Sequence, residues 1–368
     1  MKKIISLTLT LLVLIIPAMA EVFPTPGPVI PPFDDGKCGL LSMLNMDEKE
    51  YASYKKARDS IAMLLIEEDY STIEIQPMPG RAPDALPGPT PDLGAVKRDR
   101  MPQLVYYDTL DAMLMALMAG DITSLEIYQS VGEYLVANND GLMLVVDYDL
   151  SKQRNAYADY VFNTILGNDF AFLMLENNIA LRDMFSEAIE AMKADGTMDR
   201  LVKEQITDLI AGSEISPIEL PIIDGAETVR IAVTGALPPM DYVAADGTPA
   251  GFNTAVLAEI GQRTGKNIEL VVVDSIGRAT ALASGNVDAV FWTRTSSRAN
   301  AYAKMSNSER EAEQKRLRAA LDDAEREVIE EVHELAPLES YGTADMPEGT
   351  IATVAYYSDV FIPVKLRQ

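Results

Sequence analysis

ETVRIAVTGALPPMDYVAADGTPAGFNTAVLAEIGQRTGKNIELVVVDSIGRATALASGNVDAVFWTRTSSR, residues 227–298, sets the fold class. Val229 to Val233 is an apolar, β-branched run of strand length, and Leu237-Pro238-Pro239-Met240 stiffens the loop that leaves it. Asp246-Gly247 supplies a tight turn, and Gly251-Phe252-Asn253 opens a helix that ends near Gly265. Ile268 to Val273 is the next strand. Asp274 or Ser275 caps a helix over Gly277 to Ala283, Gly285 stops it, and Val287 to Trp292 is a third strand. This is α/β grammar. Ligands of open α/β sheets sit in the crevice beyond the strand C-termini, here the loops 234–242 and 292–298.

The same grammar occurs earlier in the chain. LVYYDTLDAMLMALMAGDITSLEI (104–127) and LVVVDSIGRATALASGNVDAVFW (270–292) match through strand, capping Asp, Ala-Leu pair and glycine, with one residue of slippage. In the first copy Gln103 to Tyr107 is a strand, Asp108 caps a helix to Met118, Gly120 ends it, and Ile122 to Ile127 is the next strand. Repeated β-α-β units predict two related lobes, although similar repeats also arise from shared fold grammar alone.

Residues 227–298 resemble the first half of the family 3 extracellular solute-binding proteins, two-lobed receptors of the periplasmic type II fold. The resemblance implies α/β lobes with open sheets, here with inserted long helices, and capture of a small ligand between them. The family's Thr/Ser-x-Thr-x-x-Arg motif is Thr293-Arg294-Thr295-Ser296-Ser297-Arg298 in this chain. By resemblance Arg298 forks onto a ligand carboxylate, Thr293 and Thr295 add hydroxyl donors, and Tyr242 and Trp292 line the apolar wall. A surface role for Arg298 and core packing for the two aromatics are the competing readings. Residues 103–210 resemble the family's second half, with NDFAFLMLEN (168–177) as a crossing strand and 180–206 as its terminal helices. The halves therefore come in permuted order. Tyr128 stands where the family shows an acidic partner for the ligand amine, with Glu126 two residues earlier. Thr350 to Lys365 resembles the outgoing crossing strand, and the βα unit the family places after it does not follow.

The N-terminus reads as a secretory signal: Lys2 and Lys3, an apolar stretch Ile4 to Ile16, then Ala18-Met19-Ala20 before Glu21. The expected organisation is signal peptide 1–20, Pro-rich linker 21–36, distal lobe 37–167 with helical and Pro-rich insertions, proximal lobe 168–298, helical insertion 299–349, and crossing strand 350–368. Asp47 to Glu68 reads as a helix, and Pro77 to Asp92 as an extended spacer or a PxxP ligand. Ser306 to Leu335 opens on capping-box spacing and reads as a long amphipathic helix that packs on its own domain or pairs with a partner.

A formal charge of −25 argues against nucleic acid and anionic membranes. One Cys (Cys38) and one His (His333) nearly exclude an internal disulfide, a zinc site and Cys/His or Ser/His catalysis. Cys38 reads as a small buried apolar residue. Neither a metal nor a cofactor is implied. The expected function is capture of a carboxylate-bearing ligand, amino acids among them, in the periplasm or outside the cell for ABC-type uptake, with a membrane permease or sensor as partner. The alternatives are a sensing or protein-interaction module without transport, and a cell-wall-acting enzyme of the same fold. For the last, Asp241, Glu259 and Glu126 are carboxylate candidates only in the sense that any carboxylate is.

Overall fold

Each of the two repeats folds as strand, helix and strand, and each receives a further strand at its centre. The protein was examined as a computed structural model, which describes residues 36–44, 46–58, 102–145, 167–214, 218–244, 247–274, 277–295, 305–320, 326 and 348–367. The expected signal sequence, the Pro-rich stretches, Arg298 and His333 lie outside the described residues.

The first half runs β1 (Lys37–Leu41), α1 (48–58), β2 (Gln103–Tyr107), α2 (Leu110–Ala119) and β3 (Ser124–Tyr128). β1 lies between β2 and β3 and is parallel to both. Asp47 starts α1 by accepting from the Glu50 amide at 2.8 Å. Thr109 caps α2 by accepting from the Ala112 amide at 3.2 Å. Asp108 was expected in that role; the structure gives it to the next residue. Gly120, at φ 79°, ends α2 in the left-handed conformation that favours glycine.

α3 (Gln129–Asn138), β4 (Leu142–Leu144), β5 (Gly167–Leu175), α4 (Ile179–Ala194) and α5 (Thr197–Val202) follow. The second half then repeats the first: β6 (Thr228–Val233), a small sheet of β7 (Ala236–Leu237), β8 (Asp241–Val243) and β9 (Pro249–Ala250), then α6 (Phe252–Thr264), β10 (Asn267–Val272), α7 (Gly277–Ala283) and β11 (Ala289–Thr295). β6 lies between β10 and β11 and is parallel to both. α8 (Asn307–Ala320) opens on the expected capping box, with Ser306 N to Glu309 at 2.8 Å and Glu309 N to the Ser306 hydroxyl at 3.4 Å. β12 (Thr350–Ala352) and β13 (Tyr357–Leu366) complete the order.

Among the described residues the main sheet has the order β10-β6-β11-β5-β13-β3-β1-β2. β5 and β13 are the antiparallel middle. β13 pairs through Tyr357 to Val360 with β5, and through Phe361 to Val364 with β3, so one strand belongs to both half-sheets. Around that change of partner sit Tyr128, Phe170, Trp292 and Phe361, with ring centroids 4.7 to 5.3 Å apart. Edge-to-face and offset-stacked arrangements of this kind add about 0.5–1.5 kcal/mol per pair beyond area burial.

A bulge in β11 makes the cluster possible. Val290 pairs with Leu173 but Thr293 with Ala171, so one extra residue is accommodated between them. Trp292 there takes φ 52°, and it stacks on Phe170.

Gly251 is a second forced position. Its φ is 101°, and a Cβ would lie 2.6 Å from the Met240 carbonyl oxygen and 2.8 Å from that of Pro239. Gly251→Ala is therefore expected to lower unfolding free energy by about 2 kcal/mol or more, read as a reduced urea midpoint with an unchanged slope.

Candidate functional site

The C-terminal ends of β1, β2, β6 and β10 face a common crevice. It is lined by Leu41, Met43, Asp108, Thr109 and Leu110 from the first half, and by Thr234, Ala236, Leu237, Val273 and Asp274 from the second. Its volume is about 60 Å³, far below the roughly 300–1,000 Å³ of ligand clefts. Each half brings one aspartate, at the same point of the repeat: Asp108 after β2 and Asp274 after β10. The Asp274 carboxylate also accepts from the Gly277 amide at the start of α7. Two threonine hydroxyls, Thr109 and Thr234, complete the polar lining.

The second-half wall is held by Asp241. This buried carboxylate accepts from the Thr234 amide at 2.9 Å, the Gly235 amide at 2.8 Å and the Thr234 hydroxyl at 3.0 Å. Arg278, buried on α7, reaches the carbonyls of Phe291 and Trp292 within its own half and that of Met43, at 3.4 Å, in the other. The Ser130 hydroxyl of α3 donates to the Asp359 carboxylate and lies 3.6 Å from the Met240 sulfur of the other half.

The residues proposed from sequence are distributed differently, and none of those described lines this crevice. Trp292 and Tyr128, 1% and 0% exposed, are members of the aromatic cluster. Glu126, two residues before Tyr128, shares its face of β3. It is buried against Arg58, whose Nη1 donates to its two oxygens at 2.7 and 2.8 Å, and against the Tyr51 hydroxyl at 2.8 Å. Thr293 is buried in β11 opposite Ala171. The Thr295 hydroxyl reaches the Asp169 carbonyl at 3.5 Å. Tyr242 is half-buried on β8, and its hydroxyl pKa is raised by burial and by nearby Tyr134. Arg298 follows β11 outside the described residues. Sequence reasoning treated Asp108 and Asp274 only as caps and did not bring them to one crevice. Their matched places in the two repeats were the available signal.

Residues 229–323 match the family model of the bacterial extracellular solute-binding proteins, family 3. No curated protein matches the chain. Among solved structures it is similar to a zinc-bound ligand-binding component of an ABC-type import system from Staphylococcus aureus, with 7% identity, 90% of this chain and 66% of that one covered, and a TM-score of 0.33. It is also similar to NikA from Staphylococcus aureus in complex with Ni(L-His)2, at 12% identity, 72% and 57% coverage and a TM-score of 0.32. A third is the periplasmic aliphatic sulphonate binding protein SsuA from Escherichia coli, at 10%, 91% and 62%, and 0.29. The chain spans less than two thirds of the length of each. No helix among the described residues is long and apolar enough to cross a membrane.

Two carboxylates have their pKa pushed up to about 7, chiefly by burial. One is Asp241, and its Gly235 and Thr234 donors oppose the shift. The other is Asp359 on β13, opposed by Ser130, whose amide donates to it at 3.1 Å. Cys38 is buried as expected, its thiol pushed to about 12 by burial and then by the Glu126 charge. For the two aspartates the folded values exceed the ordinary 3.8, so the folded state holds protons that the unfolded chain releases. Their contribution is complete below about pH 4 and lost as the pH rises through about 7. The melting temperature is expected to fall over that interval, and Asp241→Asn with Asp359→Asn should flatten the slope.

Proposed function

We infer that the chain is an exported solute-binding protein that captures a small ligand between its half-sheets and passes it to an ABC-type permease. The observation that carries this reading is the crevice: four strand ends from two matching halves converge there, each half contributing an aspartate. The family 3 match over 229–323 supports it. The N-terminal signal sequence supports export to the periplasm or the cell exterior.

The ligand chemistry follows from the charges at hand. A ligand with an amine and a carboxylate, an amino acid being the simplest, sets its amine toward Asp108 and Asp274. Its carboxylate goes to Arg298, the last residue of the Thr293-to-Arg298 motif. Planar guanidinium donors suit a two-point carboxylate contact. A crevice of about 60 Å³ is too small for an amino acid, so ligand entry requires the halves to part about β5 and β13. The small volume, with contacts already made between halves, favours a second reading: a sensing or protein-interaction module with no transport role.

Thermal shift of the full chain against the amino acids and small organic acids separates the two. At saturating ligand a rise of about 2–4 °C or more is expected for the right compound. Asp274→Asn should abolish the shift for amine-bearing ligands, and Arg298→Ala should abolish it for carboxylates. A flat response to every compound overturns the solute-binding reading.

A further inference from the structure

α1 belongs to the first half, yet its two ends are charged toward different halves. Near its start, Glu50 receives both terminal nitrogens of Arg294 on β11 of the second half, at 2.6 and 3.3 Å. The side chains are 2% and 12% exposed, Arg294 the deeper. Eight residues on, about 12 Å along the helix axis, Arg58 binds Glu126 of β3 in the first half. Between these pairs Tyr51, Ser53, Tyr54, Lys55 and Ala57 are all buried, and Tyr54 meets Phe361 of β13 edge-on at 5.0 Å. α1 is thus fixed to the first half by packing and by Arg58. Glu50 is the group it extends to the second half.

Arg294 cannot follow Glu50 out to water, because β11 is an interior strand of the sheet. Separation leaves a desolvated guanidinium without that counter-charge, which is strongly unfavourable. The pair is either made or broken, and while it is made the halves stay together. Arg278 to the Met43 carbonyl acts in the same sense, but it is not an ion pair.

We propose that Glu50 is a built-in latch: its carboxylate, held by Arg294, keeps the two half-sheets closed over the crevice in the absence of ligand. The half-sheets part only when that pair breaks. The gating role rests on the crevice being the binding site; the latch itself is a property of the ligand-free chain and is tested without any ligand.

The experiment is amide hydrogen exchange on the full ligand-free chain, comparing wild type, Glu50→Gln and the exposed same-turn control Glu48→Gln. In Glu50→Gln the crevice walls, 234–243 and 106–110, are expected to exchange about tenfold faster while α6 is unchanged. Small-angle scattering should report a larger radius of gyration. Cys38, the chain's single thiol, lies beneath Tyr51, whose hydroxyl is 3.6 Å from its sulfur. Its labelling by a thiol reagent should stay slow, because α1 remains docked through Arg58. Crevice-wall exchange equal to that of Glu48→Gln overturns the latch. So does an equal rise in α6, which means general destabilisation, or fast Cys38 labelling, which means that α1 itself lifts away. Should Glu50→Gln fail to fold, Glu50→Asp, which keeps the charge on a shorter arm, is judged by the same readouts. A ligand found by thermal shift with no latch, or a latch with no ligand, tells the two readings apart.

Discussion

The antiparallel pairing of β5 with β13, and the change of partner midway along β13, is the constraint on which the architecture depends. Val360 still faces Gly167 of one half, and Phe361 already faces Tyr128 of the other. A strand shared in this way leaves no solvent gap at the junction, so the side chains there must fill space from both sides. Phe170, Trp292, Tyr128 and Phe361 do so, one each from β5, β11, β3 and β13. The left-handed Trp292 follows from this need. The bulge at that point inserts one residue so that the indole meets Phe170, and burial of so large a ring offsets the backbone strain.

A filled junction has electrostatic consequences. Charges that enter it lose water and must find partners. Glu126 finds Arg58 and Tyr51, and Arg294 finds Glu50. The donors to Asp241 and Asp359 are amides and hydroxyls, and burial outweighs them and the Arg278 charge near Asp241, so both titrate near neutrality. Asp108 and Asp274 sit outside the junction, at the crevice wall, where the strands end.

Much of the secondary structure was legible in the residues themselves. Gly277–Ala283 is a helix and Val229–Val233 falls within β6, as their local patterns predict. The Ser306–Glu309 box and the Gly120 and Gly265 helix ends are local devices whose chemistry lies within a few residues. The candidate site was less legible. Trp292 and Tyr128 are aromatic residues beside the motif strands, and nothing in their spacing tells a wall from a core. A bulge reverses which face a side chain takes, and a bulge is decided by the partner strand.

By itself the sequence determined the α/β class, the paired β-α-β units, the similarity of the stretch beginning near Val229 to family 3, and the burial of Cys38. Those rest on periodicity, caps and motif spacing, which act over a few residues to a few tens. Only the tertiary structure decided that β1 and β6 lie between the strands of their repeats, that β13 serves both halves, and that Asp108 and Asp274 share a crevice. It also brought Glu50 to Arg294 across 244 residues. No local preference encodes such a pairing. It exists because the sheet order places α1 beside β11, and because a guanidinium buried there needs an anion.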